Sequence, residues 1–96
     1  MAIIDLSHFL EADMPLYPGK ELPVFEERAS IEMDGYREKK IALCSQTGTH
    51  MDAPAHIIAG AKTLDQLLVE TFCGDAFPLK IRDADGSPVR AVAIIS

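Results

Sequence analysis

The sequence predicts an α+β domain dominated by a mixed sheet, on three observations. Short apolar runs alternate with Gly, Pro and Asp punctuation, a single short helical stripe follows them, and a cluster of ligand-type side chains lies between the two. The 96 residues, 48% hydrophobic and 25% charged, are read as one domain spanning 1–96 with a modest core.

Ala2-Ile3-Ile4-Asp5-Leu6 is an apolar run ending in a polar turn, the first strand. Asp13 to Gly19 holds two prolines and a glycine, which forbid a helix and predict an extended, turning loop. Pro23 to Glu32 reads as a strand, Asp34-Gly35 as a turn, and Arg37 to Cys44 as the returning arm of a hairpin. Thr63 to Glu70 places Leu64, Leu67 and Leu68 on one stripe behind a natural cap, which predicts one short amphipathic helix closed at Gly74. Asp75 to Ile81 is expected to be a strand at an edge, because Pro78 removes a donor. Asp83 to Pro88 reads as a turn with its aspartates in solvent, and Val89 to Ile95 as a final apolar strand. No turn or partner follows that strand, so either the chain is part of a longer product or the strand pairs across a subunit interface.

Several function classes drop out. The formal net charge is -6, whereas a nucleic-acid binder needs a basic face to displace counterions. No apolar run approaches the roughly 20 residues that cross a bilayer. Met1 to Asp5 lacks the basic start of a signal peptide. Cys44 and Cys73 match no zinc-ribbon or redox spacing and are read as reduced, partly buried thiols. The expected setting is cytoplasmic, with no nucleic-acid and no membrane partner.

Chemistry concentrates in Gln46-Thr47-Gly48-Thr49-His50-Met51-Asp52-Ala53-Pro54-Ala55-His56. Imidazole and carboxylate are the usual ligands of catalytic zinc and manganese. Gln46, His50, Asp52, Pro54 and His56 share parity, so an extended chain would send them to one face. If the chain instead turns helical at Pro54, Asp52 sits beside the helix N-terminus and His56 one turn on. Gly48 between two threonines marks a backbone that must bend or approach something closely. A lone histidine is usually a surface residue, and Asp before Ala-Pro is a common helix cap. Together in this order they outweigh those readings. Ser7-His8 lacks a nucleophile elbow, so a serine hydrolase is disfavoured.

Gly48-Thr49-His50-Met51-Asp52-Ala53-Pro54-Ala55-His56 resembles the His-x-Gly-Thr-His-x-Asp-x-Pro-x-His signature of the cyclase, or bacterial kynurenine formamidase-like, metal-dependent hydrolases. Ile4-Asp5-Leu6-Ser7-His8 and Met14-Pro15-Leu16-Tyr17-Pro18-Gly19 are similar to that family's opening strand and substrate-pocket loop. The resemblance implies a cyclase-like fold with a barrel-like sheet and few short helices, of which this chain would be the N-terminal half. It also implies that His50 and Asp52 ligate one or two divalent ions, zinc or manganese, with Gln46 where the family has its first ligand histidine. A glutamine offers only a neutral carbonyl oxygen, a better match to manganese than to zinc. His56 would be the general acid/base while a metal-activated water attacks an amide carbonyl, and Tyr17 and Pro18 would contact the substrate. The expected substrate is a small amide, either an arylformamide such as N-formylkynurenine or a cyclic amide. The family's remaining ligands, a histidine and a glutamate, lie further along than this chain reaches. An alternative is a truncated, non-catalytic relative acting as a binding or oligomerisation module. Exposed sheet edges predict a homo-oligomer.

Overall fold

The computed structural model describes residues 1–72 and 75–96. Its strands and its one α-helical turn are, in chain order, β1 (Ala2–Asp5), β2 (Val24–Ala29), α1 (Ile31–Asp34), β3 (Glu38–Ala42), β4 (His50–Asp52), β5 (Gly86–Pro88) and β6 (Val92–Ile95). They pair as three separate antiparallel ladders, β1 with β6, β2 with β3 and β4 with β5. The mixture of strands with few short helices agrees with expectation. The mixed, barrel-like sheet does not appear: each ladder is a two-stranded antiparallel pair, and the described residues close no barrel.

The chain divides into two compact units, Phe9–Cys44 and the remainder, Met1–His8 with Ser45–Ser96. The first unit holds the expected hairpin. β2 and β3 pair from Val24↔Ala42 to Ala29↔Glu38, with a register shift between Glu27 and Ala29. The extended arm stops earlier than predicted because Ser30 is a helix cap: its hydroxyl accepts from Met33 N–H at 3.3 Å, and Asp34 accepts from Ser30 N–H at 3.0 Å. Ile31 and Glu32, expected in the strand, therefore begin a single helical turn that ends at Gly35. Met14, Pro23 and Ala29 are the buried apolar side chains of this unit among the described residues. Cys44, expected to be partly buried, is exposed, and Cys73 lies outside the described residues.

In the second unit the final apolar strand finds its partner at the opposite end of the sequence. β1 and β6 pair from Ala2↔Ile95 to Asp5↔Val92. Beyond the ladder Ser7 Oγ donates to Ala91 O at 3.2 Å and accepts from Ala91 N–H at 2.7 Å. Asp5 accepts from Arg90 through both carboxylate oxygens, and this guanidinium holds the Asp5 carboxyl down to about 2. The register is thus clamped at the ladder's exit, while Ile3, Ile4, Ile94 and Ile95 stay exposed.

Residues 63–70 do not make one helix. They make two single 3-10 turns, Leu64–Gln66 and Val69–Thr71, separated by Leu67 and Leu68 in extended conformation. Local side chains capture the backbone here: Gln66 Oε1 accepts from Thr63 N–H at 3.0 Å, and Asp65 accepts from Thr63 Oγ and from Asp83 N–H. These contacts cap the first turn, and a stripe this short has too few helical bonds to extend the helix beyond it. Leu64, 3% exposed, is the anchor of the segment. Residues 75–81 form no strand, and the expected stop at Gly74 lies outside the described residues. Among the described residues no helix is long and apolar enough to cross a membrane.

Candidate metal and proton-transfer site

The motif uses both geometries that its spacing allowed, one after the other. His50–Asp52 is extended, as β4, and Pro54–His56 is a 3-10 turn with Pro54 at its first position. Ala53 before the proline keeps the extended conformation that proline imposes on its predecessor (ψ 161°). His50 and Asp52 thus project from one face of β4, and the turn then supplies His56.

β4 is held by β5, the segment read as a solvated turn. His50 pairs with Pro88, Met51 with Ser87 and Asp52 with Gly86. Ala53 N–H extends the ladder to Asp85 O at 2.7 Å, and Val89 N–H reaches Thr49 O at 3.0 Å. Ser87 is fully buried, its hydroxyl accepting from Leu79 N–H and donating to Pro88 O. His8 N–H donates to Thr49 Oγ at 3.1 Å, tying the end of β1 to the motif.

Two histidine–aspartate pairs result. Gly48 has φ +68°, the bend its position between threonines predicted, and its carbonyl lies 2.7 Å from His50 Nδ1. A carbonyl only accepts, so Nδ1 carries the hydrogen and the neutral ring has a bare Nε2. That Nε2 lies 3.6 Å from Asp52 Oδ1. Two lone pairs facing each other at this range repel unless a cation or proton sits between them. Two ligands at about 2.1 Å on one tetrahedral ion stand about 3.4 Å apart, close to the spacing found.

In the second pair His56 Nδ1 lies 2.9 Å from Asp85 Oδ2, and Ser45 Oγ donates to Asp85 Oδ1 at 2.7 Å. The Ser45 hydroxyl first, and His56 second, hold the Asp85 carboxyl below the usual carboxylate range. Asp85 was expected in solvent. Instead it is half-buried, because the ladder to β5 brings it under His56. Its place in a turn of polar residues offered no periodicity from which this contact could have been read.

Gln46 supplies the third arm. Its Nε2 is buried and has no hydrogen-bond partner among the described residues. A Cβ at Gly86 would crowd that atom and fall 3.1 Å from both Asp52 Oδ1 and Met51 O, so glycine leaves the room that the amide and the carboxylate occupy over this strand. Half a turn about the terminal bond of Gln46 exchanges its amide ends and presents Oε1, a neutral oxygen donor. The orphaned amide, the glycine cradle and the bare imidazole nitrogen fit a divalent cation in part. Among the described residues no three His, Cys, Asp or Glu side chains group to hold one. Tyr17 and Pro18 belong to the other unit, where both are exposed on a turn closed by Lys20 N–H to Tyr17 O.

The family model for cyclases, described as Putative cyclase, matches residues 4–95, and the chain belongs to that family. A protein of Salinibacter ruber named kynurenine formamidase is 29% identical to it over 83 residues. The match takes in 79% of this chain but 37% of that protein, so the chain spans well under half the length of this relative. No solved structure matches it.

Proposed function

We propose that this chain carries the metal- and proton-handling part of a hydrolase acting on a non-peptide carbon–nitrogen bond. The substrate would be a small amide: an arylformamide such as N-formylkynurenine, or a cyclic amide. The observation that carries the reading is the bare His50 Nε2 facing the Asp52 carboxylate across 3.6 Å. The family and the kynurenine formamidase relative support the reaction class.

His50, Asp52 and Gln46 would hold one or two zinc or manganese ions, the amide oxygen of Gln46 favouring the harder manganese. Such an ion supplies Lewis-acid polarisation of a carbonyl and lowers the pKa of a water it binds. The protein's own part is proton traffic. With Nδ1 engaged by Asp85, His56 Nε2 takes a proton from the attacking water as its oxygen bonds to the carbonyl carbon. It returns that proton to the leaving nitrogen as the carbon–nitrogen bond breaks. Tyr17 and Pro18 are assigned to substrate contact on the family resemblance. Further ligands would come from the rest of a longer protein or from a second copy. The cytoplasmic setting and the homo-oligomer belong to the same proposal, the latter supported by the exposed Ile3, Ile4, Ile94 and Ile95.

A non-catalytic relative acting as a binding or oligomerisation module is the second reading, favoured by the absence of a three-residue His, Cys, Asp or Glu group among the described residues. One experiment separates the two: the purified chain is titrated with manganese and zinc while thermal stability and arylformamide hydrolysis are followed. The hydrolase reading expects stabilisation by metal, and metal-dependent turnover once a longer chain or a second copy supplies the further ligands. Stabilisation without turnover supports the binding module, and neither response removes the metal assignment.

A further inference from the structure

We propose that Asp85, steadied by Ser45, is a positioning residue that selects the tautomer and direction of the His56 ring. Its kinetic consequence rests on the hydrolase reading above, but the structural claim does not.

The argument starts from donors and acceptors. An ionised carboxylate can only accept, so the 2.9 Å contact from His56 Nδ1 to Asp85 Oδ2 puts the ring hydrogen on Nδ1. Free imidazole has no such obligation, and a half-exposed histidine would otherwise sample both tautomers and several rotamers. Nε2 is left as the basic atom and is turned away from Asp85.

The carboxylate is itself held. Ser45 Oγ occupies Oδ1 at 2.7 Å, so rotating Asp85 about its side-chain bonds breaks one contact to make another. The backbone on either side is fastened too. Ala53 N–H donates to Asp85 O at 2.7 Å, Gly86 pairs with Asp52, and His56 N–H donates to Ala53 O at 3.0 Å. Asp85 and His56 therefore hang from one hydrogen-bonded frame, through Ala53, at their backbones as well as through their side chains. A solvent-exposed ion pair formed by chance on a surface lacks this frame. The frame makes the geometry an arrangement for aiming Nε2, since placing a general base within reach of its proton is the first requirement of proton transfer.

The test uses the full chain and imidazole nitrogen NMR. In the wild type the neutral His56 ring is expected to show hydrogen on Nδ1. In Asp85→Ala the ring is expected to pass to a tautomer mixture, and in Ser45→Ala to shift in the same direction by less. A wild-type ring carrying its hydrogen on Nε2, or an unchanged tautomer in Asp85→Ala, overturns the proposal. The wild-type spectrum alone suffices should Asp85→Ala fail to fold. Where turnover is measurable, Asp85→Ala is expected to lower kcat about 10- to 100-fold with KM nearly unchanged, part of the 10²–10⁴ that a placed acid–base group supplies. A tautomer result as expected in a chain without hydrolysis would leave the positioning role intact and remove the hydrolase reading instead.

Discussion

The two histidine–aspartate pairs of the motif are built from the same side chains and do opposite things. His50 donates from Nδ1 to a carbonyl and turns its bare Nε2 on Asp52, at 3.6 Å. His56 donates from Nδ1 directly to Asp85 at 2.9 Å, and the attraction is complete. In the first pair the proton is spent on the backbone, which leaves two acceptors that only a cation or proton reconciles. In the second the proton lies between the partners, which leaves Nε2 free to exchange another. The chemistry of a histidine beside an aspartate is thus decided by which ring nitrogen the backbone has claimed.

Four substitutions would break or sharpen that contrast. The largest effect is expected from His56→Ala, which should cut turnover about 10²–10⁴-fold while metal still stabilises the chain. His50→Ala should do the reverse to the metal response: at a hundredfold excess over Kd, stabilisation of about 2.7 kcal/mol is lost. If His56→Ala removes both responses, the pairs form one unit and the contrast fails.

An intermediate effect is expected from Gly86→Ala. Its Cβ would crowd Gln46 Nε2, and the amide must move. We expect a cost of about 1–3 kcal/mol from overpacking, together with weaker manganese binding by calorimetry. Unchanged binding would take Gln46 out of the metal-holding set.

The smallest effect concerns Asp85 and pH. Its folded carboxyl is held below the usual carboxylate range, so its contribution to stability is present above the unfolded carboxylate value and is lost as pH falls through the lower folded value. Wild type and Asp85→Asn should differ in Tm near neutrality and converge in acid. The difference should be small, because partly exposed pairs contribute under about 1 kcal/mol. A gap that persists to strongly acid pH would assign it to packing rather than charge.

Some of this was legible along the chain. The β2–β3 hairpin, the extended start at β1 and the turn at Pro54 follow from local rules: turn residues, proline's fixed φ and its effect on the residue before. The alternation that puts His50 and Asp52 on one face needed only the two-residue period of a strand. Local rules misled at Ser30, where a cap converted predicted strand into a helical turn, and at 63–70, where a stripe too short to sustain a helix made two 3-10 turns.

The amino-acid sequence alone determined the family and the residue types of the candidate site, because the motif is contiguous and carries its functional groups within eleven residues. Only the tertiary structure decided what those groups face. Asp85 lies under His56, Gly86 makes room for Gln46, and β6 returns to β1, all through contacts between residues far apart in the chain. Hydrogen bonds and steric exclusion act across space, and no local pattern of polarity encodes which distant strand will supply them.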